Sequence, residues 1–170
     1  PTLIETYYNN SGESINYDAI TITQVACSTS HTLFLTNEGR VYSCGDNMRG
    51  QLGLNSTRRW ETPQLIQRYY GYNDVSIDFD DIRITQIASG YFYSLFLTDE
   101  GRVYSCGNNM RGQLGLNSID NQTKPKLIQT YYGNNDGSIN YDDITIIEIA
   151  ACHYHSFFNT IRPGNTSLIL

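Results

Sequence analysis

The strongest constraint on this chain is that it repeats itself every 62 residues. Pro1-Thr-Leu-Ile returns as Pro63-Gln-Leu-Ile and again as Pro125-Lys-Leu-Ile. Leu33 to Ser56 matches Leu95 to Ser118 at every position except Asn37/Asp99 and Asp46/Asn108. The chain therefore divides into two full copies, 1–62 and 63–124, and a partial third, 125–170. The third follows the pattern through Thr160 and closes in a divergent tail, Ile161 to Leu170. A unit repeated at such a period is one supersecondary element that cannot bury its apolar surface alone, so neighbouring copies must stack.

Within each copy the local signals are those of strands. Ile82-Arg-Ile-Thr-Gln-Ile-Ala alternates apolar and polar residues, as a half-buried strand does. Tyr93-Ser-Leu-Phe-Leu-Thr is more apolar and suits a central strand. Asp99-Glu-Gly101 is a hairpin turn in which Gly supplies the positive φ, and Arg102 to Gly107 is the return strand. Pro125 to Tyr132 reads as a fourth strand, its leading Pro fitting a strand start or an edge. No segment carries a helical period. Four strands per copy, in about 2.7 copies, predict an all-β fold of propeller blades, each a four-stranded antiparallel sheet. Residues 7–19, 69–81 and 131–143 read as a lengthened connection between strands. The third copy lacks the Gly-Arg-Val-Tyr-Ser-Cys-Gly strand, so Ser167 to Leu170, or another chain, is expected to complete its sheet. Val41, Cys44, Leu52, Val103, Cys106 and Leu114 are expected in the core, with both cysteines reduced.

The segment Gly101-Arg-Val-Tyr-Ser-Cys-Gly-Asn-Asn-Met-Arg-Gly-Gln-Leu-Gly115 resembles the signature of the regulator of chromosome condensation repeat family. Gly39 to Gly53 carries it in the first copy. The upstream His-Ser element is matched by His31-Thr32 and His155-Ser156, while Tyr93-Ser94 departs from it. The resemblance implies a seven-bladed β-propeller. A ring of seven at this period would take roughly 430 residues, so the chain, which opens on Pro1 rather than Met, reads as part of a longer protein. Open first and last blades would expose apolar faces and favour self-association.

The residue types that could carry chemistry read more simply as framework. His31 and His155 recur at one repeat position, which structure demands and catalysis does not. Cys152, His153 and His155 lack the fourth ligand that a zinc site needs. The acidic stretches Asp78 to Asp81 and Asn140 to Asp143 read as solvated turns with Asx capping. Arg49 and Arg111 are expected to brace their turns by bonding carbonyls or carboxylates. No nucleophile–base pair or phosphate loop stands out, so the chain reads as a non-enzyme without a cofactor or metal.

What varies between copies is then the candidate recognition surface, because function in repeat folds lives in rim loops. The most divergent block holds Arg58, Arg59 and Trp60, a composition common at contact hot spots. The other varying set includes Tyr72, Asn73 and Asp74 in the second copy and Asn134, Asn135 and Asp136 in the third. A net charge of −6 excludes electrostatic binding to nucleic acid or to anionic membranes, and no apolar run is long enough to span a bilayer. The expected function is a protein-interaction scaffold that docks a protein partner inside the cell, in the cytoplasm or nucleus. Two other readings stand beside it. One, implied by the family, is nucleotide exchange on a small GTPase; the other is an assembly protein whose chains complete each other's blades.

Overall fold

The computed structural model describes residues 6–8, 11, 13–16, 20–132, 138–161 and 168–169. Asn134, Asn135 and Asp136 lie outside them. Among the described residues three main sheets follow one another along the chain, with a two-stranded hairpin beside the third. The first contains β1 (Thr6–Tyr8), β2 (Ser14–Asn16), β3 (Ile22–Cys27), β4 (His31–Thr36), β5 (Val41–Gly45) and β6 (Trp60–Leu65), in the order β2-β1-β6-β5-β4-β3. The second repeats that order with β7 (Arg68–Tyr70), β8 (Ser76–Asp78), β9 (Ile84–Ser89), β10 (Tyr93–Thr98), β11 (Val103–Gly107) and β12 (Gln122–Leu127). The third copy forms a separate hairpin, β13 (Thr130–Tyr132) and β14 (Ser138–Asn140). Its main sheet consists of β15 (Thr145–Cys152), β16 (His155–Ile161) and β17 (Leu168–Ile169). Among the described residues the remaining regular structure is three short 3-10 turns.

The four antiparallel strands expected in each full copy are present, and the supposed connection adds two more. Residues 68–78 form a hairpin that joins the sheet edge through parallel pairing of Tyr70 with Lys126. Tyr69 anchors it. Its ring is buried and meets Phe96 and Tyr104 edge-on at centroid distances of 5.8 and 5.5 Å. Tyr7 does the same in the first copy, against Phe34 at 6.1 Å and Tyr42 at 5.1 Å. In the third copy, Leu168 and Ile169 pair with Phe158 and Phe157 and fill the place that β5 and β11 hold in their sheets.

Sheets stack face to face, β4 against β9 and β10 against β15. Alternation along a strand divides its side chains between two neighbours. On β10, Leu95 and Leu97 pack towards the third sheet with Ile146, Ile149 and Phe158, while Phe96 packs towards the first with Leu33, Leu35 and Tyr69. Every residue of β10 is buried, which explains why this strand reads as a nearly continuous apolar run. Gly39 and Gly101 turn their hairpins with φ of +81° and +74°. They also touch the next sheet. The Gly39 carbonyl accepts from the Ile84 N–H at 3.1 Å and that of Gly101 from Ile146 at 3.2 Å. A Cβ on Gly101 would lie 2.5 Å from Cγ2 of Thr145.

The core expectation holds for Val41, Leu52, Val103, Cys106 and Leu114, all buried, and fails for Cys44, which is half-buried. The cause is position in the stack. The Cys106 sulfur sits under the turn of the first sheet, 3.6 Å from the Gln51 carbonyl. Cys44 faces away from the second sheet and has no equivalent cover among the described residues. Burial pushes both thiols up, Cys106 the more strongly, and all four cysteines are unpaired. Native-state thiol labelling should modify exposed Cys27 and Cys152 first, Cys44 more slowly and Cys106 only on unfolding. Equal rates for Cys106 and Cys152 would contradict the stacking.

Candidate functional site

The stacked sheets present two chemically different ends. At one, β3, β9 and β15 finish and β4, β10 and β16 begin. The turns that follow β5 and β11 return there, because Asp46 N–H donates to the Ser30 carbonyl at 2.8 Å and Asn108 N–H to that of Phe92 at 2.7 Å. Each turn is built by side chains rather than by a regular ladder. Asn47 Oδ1 accepts from Leu52 N–H at 2.9 Å, and its Nδ2 donates to the carbonyls of Ser56 and Arg58 at 2.9 and 3.0 Å. Gln51 Oε1 accepts from Arg49 N–H at 2.9 Å, and Ser43 Oγ donates to the Leu52 carbonyl at 2.8 Å. Asn109, Gln113 and Ser105 repeat the pattern.

This corrects the expected role of Arg49 and Arg111: the amides of Asn and Gln brace the turns, and both guanidiniums are left exposed. The Arg111 guanidinium lies 4.9 Å above the ring centre of Tyr154, on the next sheet. Arg58 stacks on Trp60 at 4.3 Å. Trp60 itself opens β6, paired with Gly45, so its ring is held by a strand rather than by a mobile loop. Tyr91 stacks on His153 at 4.7 Å, its N–H donating to the His153 carbonyl at 3.0 Å. Phe92 has φ of +112°, a costly conformation for a bulky residue and one that clusters at contact and switch sites.

Of the sequence-derived candidates, Arg58, Arg59 and Trp60 occupy this end. Tyr72, Asn73 and Asp74 lie elsewhere, in a 3-10 turn beside β12, where Asp74 meets Lys126 at 2.9 Å. The hydrogen bond from Lys126 and its charge hold that carboxyl below the usual carboxylate range. Sequence reasoning did not assign Tyr91, Phe92, His153 and Tyr154 to the recognition surface. Their signal was available: the same positions hold Thr29 and Ser30 in the first copy, so they vary within a conserved frame.

His31 belongs to the frame. It is 2% exposed, with Nε2 2.9 Å from Ser94 Oγ on the second sheet and Nδ1 2.7 Å from Ser28 Oγ. Ser94 spends its proton on the Gln51 carbonyl at 2.7 Å, so the network assigns the proton of the neutral ring to Nε2. Burial, opposed by the weaker attraction of Asp46, lowers the His31 pKa to about 4. Tyr93, the counterpart in the second copy, likewise reaches the next sheet, donating to the His155 carbonyl.

The opposite end is acidic. Glu38, Asp80, Asp81, Asp99 and Glu100 line a groove of about 550 Å³ with Arg40, Arg83 and Arg102. Arg40 bridges Glu38 and Asp80 at 3.2 Å each, Arg83 donates to the carbonyls of Asn37 and Glu38, and Arg102 meets Asp142 at 2.9 Å. Among the described residues no group of three His, Cys, Asp or Glu could hold a metal ion, and no helix is long and apolar enough to cross a membrane.

Stacked antiparallel sheets with side-chain-braced turns define a repeat protein of the β-propeller class. The sequence profile of the Regulator of chromosome condensation (RCC1) repeat matches residues 38–97 and 100–158, and a second profile of that repeat matches 22–51 and 84–113. The chain belongs to this repeat family. It is 34% identical over 134 residues to the human probable E3 ubiquitin-protein ligase HERC6, covering 78% of this chain and 11% of that protein. It is likewise 34% identical to the human X-linked retinitis pigmentosa GTPase regulator, covering 61% of this chain and 9% of that one. The crystal structure of Prp20p from Saccharomyces cerevisiae superposes with a TM-score of 0.64 at 18% identity, over 95% of this chain and 36% of that one. The chain thus spans about a tenth of the first two and about a third of the last.

The His31 network gives stability a pH dependence of known sign. Between pH 6.5 and 4 the unfolded chain takes up a proton that the folded one refuses, so this contribution is complete above about pH 6.5 and is lost as pH falls towards 4, to a limit of about 3 kcal/mol. His31→Tyr, which installs the second copy's residue, should lose less Tm than the parent between pH 7.5 and 4.5. Parallel losses in both proteins would contradict the buried neutral ring.

Proposed function

We propose that the chain is a non-catalytic protein-interaction module that docks a protein partner through the end bearing Arg58, Arg59 and Trp60. One observation carries this reading. Residues that change between copies, Arg58 and Trp60 with Tyr91, Phe92, His153 and Tyr154, gather on one end, beside strands that recur from copy to copy. Preorganised aromatic and Arg side chains on a rigid sheet are what a contact hot spot requires. The turn of Tyr72, Asn73 and Asp74 forms a second part of the docking surface, and the repeat-equivalent Asn134, Asn135 and Asp136 are candidates for the same role by sequence. Four unpaired cysteines fit an intracellular site of action. The module forms part of a closed ring of seven such blades: about 2.7 copies match roughly a third of Prp20p.

The resemblance to a protein named as a GTPase regulator favours a second reading, in which the partner is a small GTPase whose nucleotide release the ring accelerates. A nucleotide-release assay across a panel of small GTPases tests it. Acceleration of one of them supports exchange, and unchanged release throughout leaves docking without exchange.

A photo-crosslinker placed at Trp60, and separately at Glu100 on the opposite end, tests the docking reading in extract from the source cells. The Trp60 probe should give one discrete adduct, competed by unlabelled chain and lost on Arg58→Glu, and the Glu100 probe should not. Adducts formed equally from both positions would overturn it.

A further inference from the structure

We infer that the partner segment bound at this end is an acidic peptide, its carboxylates seated on the guanidiniums of Arg49, Arg58 and Arg111. The inference rests on the docking reading and adds the chemistry of the partner.

Charge pairing separates the two ends. Arg40, Arg68 and Arg102 each meet a carboxylate of the chain, and Arg83 donates to two carbonyls. The guanidiniums of Arg49, Arg58 and Arg111 have no carboxylate or carbonyl partner among the described residues. Arg58 and Arg111 are held over the aromatic rings of Trp60 and Tyr154, which leaves their planar N–H forks free. No acid of this end, Asp46, Glu61 and Asp120 included, forms an ion pair with them among the described residues. Asp46 accepts from Gln51 Nε2 at 3.0 Å, and Glu61 stands 4.0 Å from Arg59.

A planar fork with five donors matches a carboxylate bidentately, and stacking on a ring fixes its orientation. Two such ring-stacked forks, with the exposed guanidinium of Arg49 from the same set of turns, therefore suit the Glu or Asp side chains of one peptide. Met48, at 77% exposed, and Met110, at 64%, stand beside Arg49 and Arg111 and supply adaptable apolar contact between the charges. A long polyanion fits less well. It would extend past three guanidiniums onto a chain of net charge −6, and nucleic-acid sites draw on many more cations.

Fluorescence anisotropy with a short labelled peptide alternating Glu and Leu tests the inference, with peptides alternating Lys and Leu or Gln and Leu as controls. The acidic peptide should bind, the controls should not, and added salt should weaken binding. Arg58→Glu and Arg111→Glu should each weaken binding at least ten-fold, while Arg68→Glu, the same change in net charge away from this end, should alter it less than two-fold; thermal melts confirm that all three variants fold. The inference fails if the Gln peptide binds as well as the Glu peptide, if Arg68→Glu matches Arg58→Glu, or if a single-stranded oligonucleotide of equal charge binds more tightly. Failure here alongside a persistent, Arg58-dependent Trp60 adduct would leave docking standing and remove only the acidic partner.

Discussion

The side-chain amide of Gln24 donates to the carbonyl of Ile87 at 3.0 Å and accepts from that residue's N–H at 2.9 Å. A strand lining the face of one sheet is thereby hydrogen-bonded to the next sheet as though it were another strand. Gln86 repeats the clasp, accepting from the N–H of Ile149 at 2.8 Å. Gly39 and Gly101 add one backbone bond each, and Ser94 and Ser156 donate to the carbonyls of Gln51 and Gln113 at 2.7 Å. Each contact recurs after one repeat, so a single geometric relation sets the whole stack. Side-chain partners turn otherwise unpaired backbone groups into connections between sheets. The apolar faces then pack in fixed register.

That rigidity determines where recognition can reside. Buried Asn, Gln, Ser and His side chains are committed to turns and interfaces and cannot serve a partner. The tips between β9 and β10 and between β15 and β16 carry no such duty, and neither do the exposed side chains of the braced turns. Their substitutions from copy to copy change the surface without disturbing the stack. The two ends diverge in charge for the same reason. At the acidic end Arg40 pairs with Glu38 and Asp80, Arg102 pairs with Asp142, and Arg83 donates to the carbonyls of Asn37 and Glu38, contacts that also tie neighbouring sheets together. Arg49, Arg58 and Arg111 tie nothing to an anion.

The repeat, the strand signals, the hairpin glycines and the Gly-Gln-Leu-Gly turns were legible in the sequence because they are local or periodic. The hairpin at 68–78 was not, because its strands are three residues long and its pairing partner, Lys126, lies half a hundred positions away. The recurrence of a Tyr-Tyr pair at 7–8, 69–70 and 131–132 was the available clue. Cys44 and Cys106 are identical in sequence context and differ in burial only because one has a sheet stacked over it, a fact that belongs to assembly order. The candidate site was half legible. Arg58 and Trp60 declared themselves by divergence. Tyr91, Phe92, His153 and Tyr154 diverge as well, but they lie in short connections between strands, and only the structure brings Tyr91 onto His153 across two sheets.

Amide hydrogen exchange at Ile87 and Ile149 tests the central claim, that one clasp repeated every 62 residues holds the sheets together. In Gln24→Ala, protection at Ile87 should fall while that at Ile149 persists, and in Gln86→Ala the pattern should reverse. Unchanged protection at both amides in both variants would show that apolar packing alone sets the stack and would contradict the account.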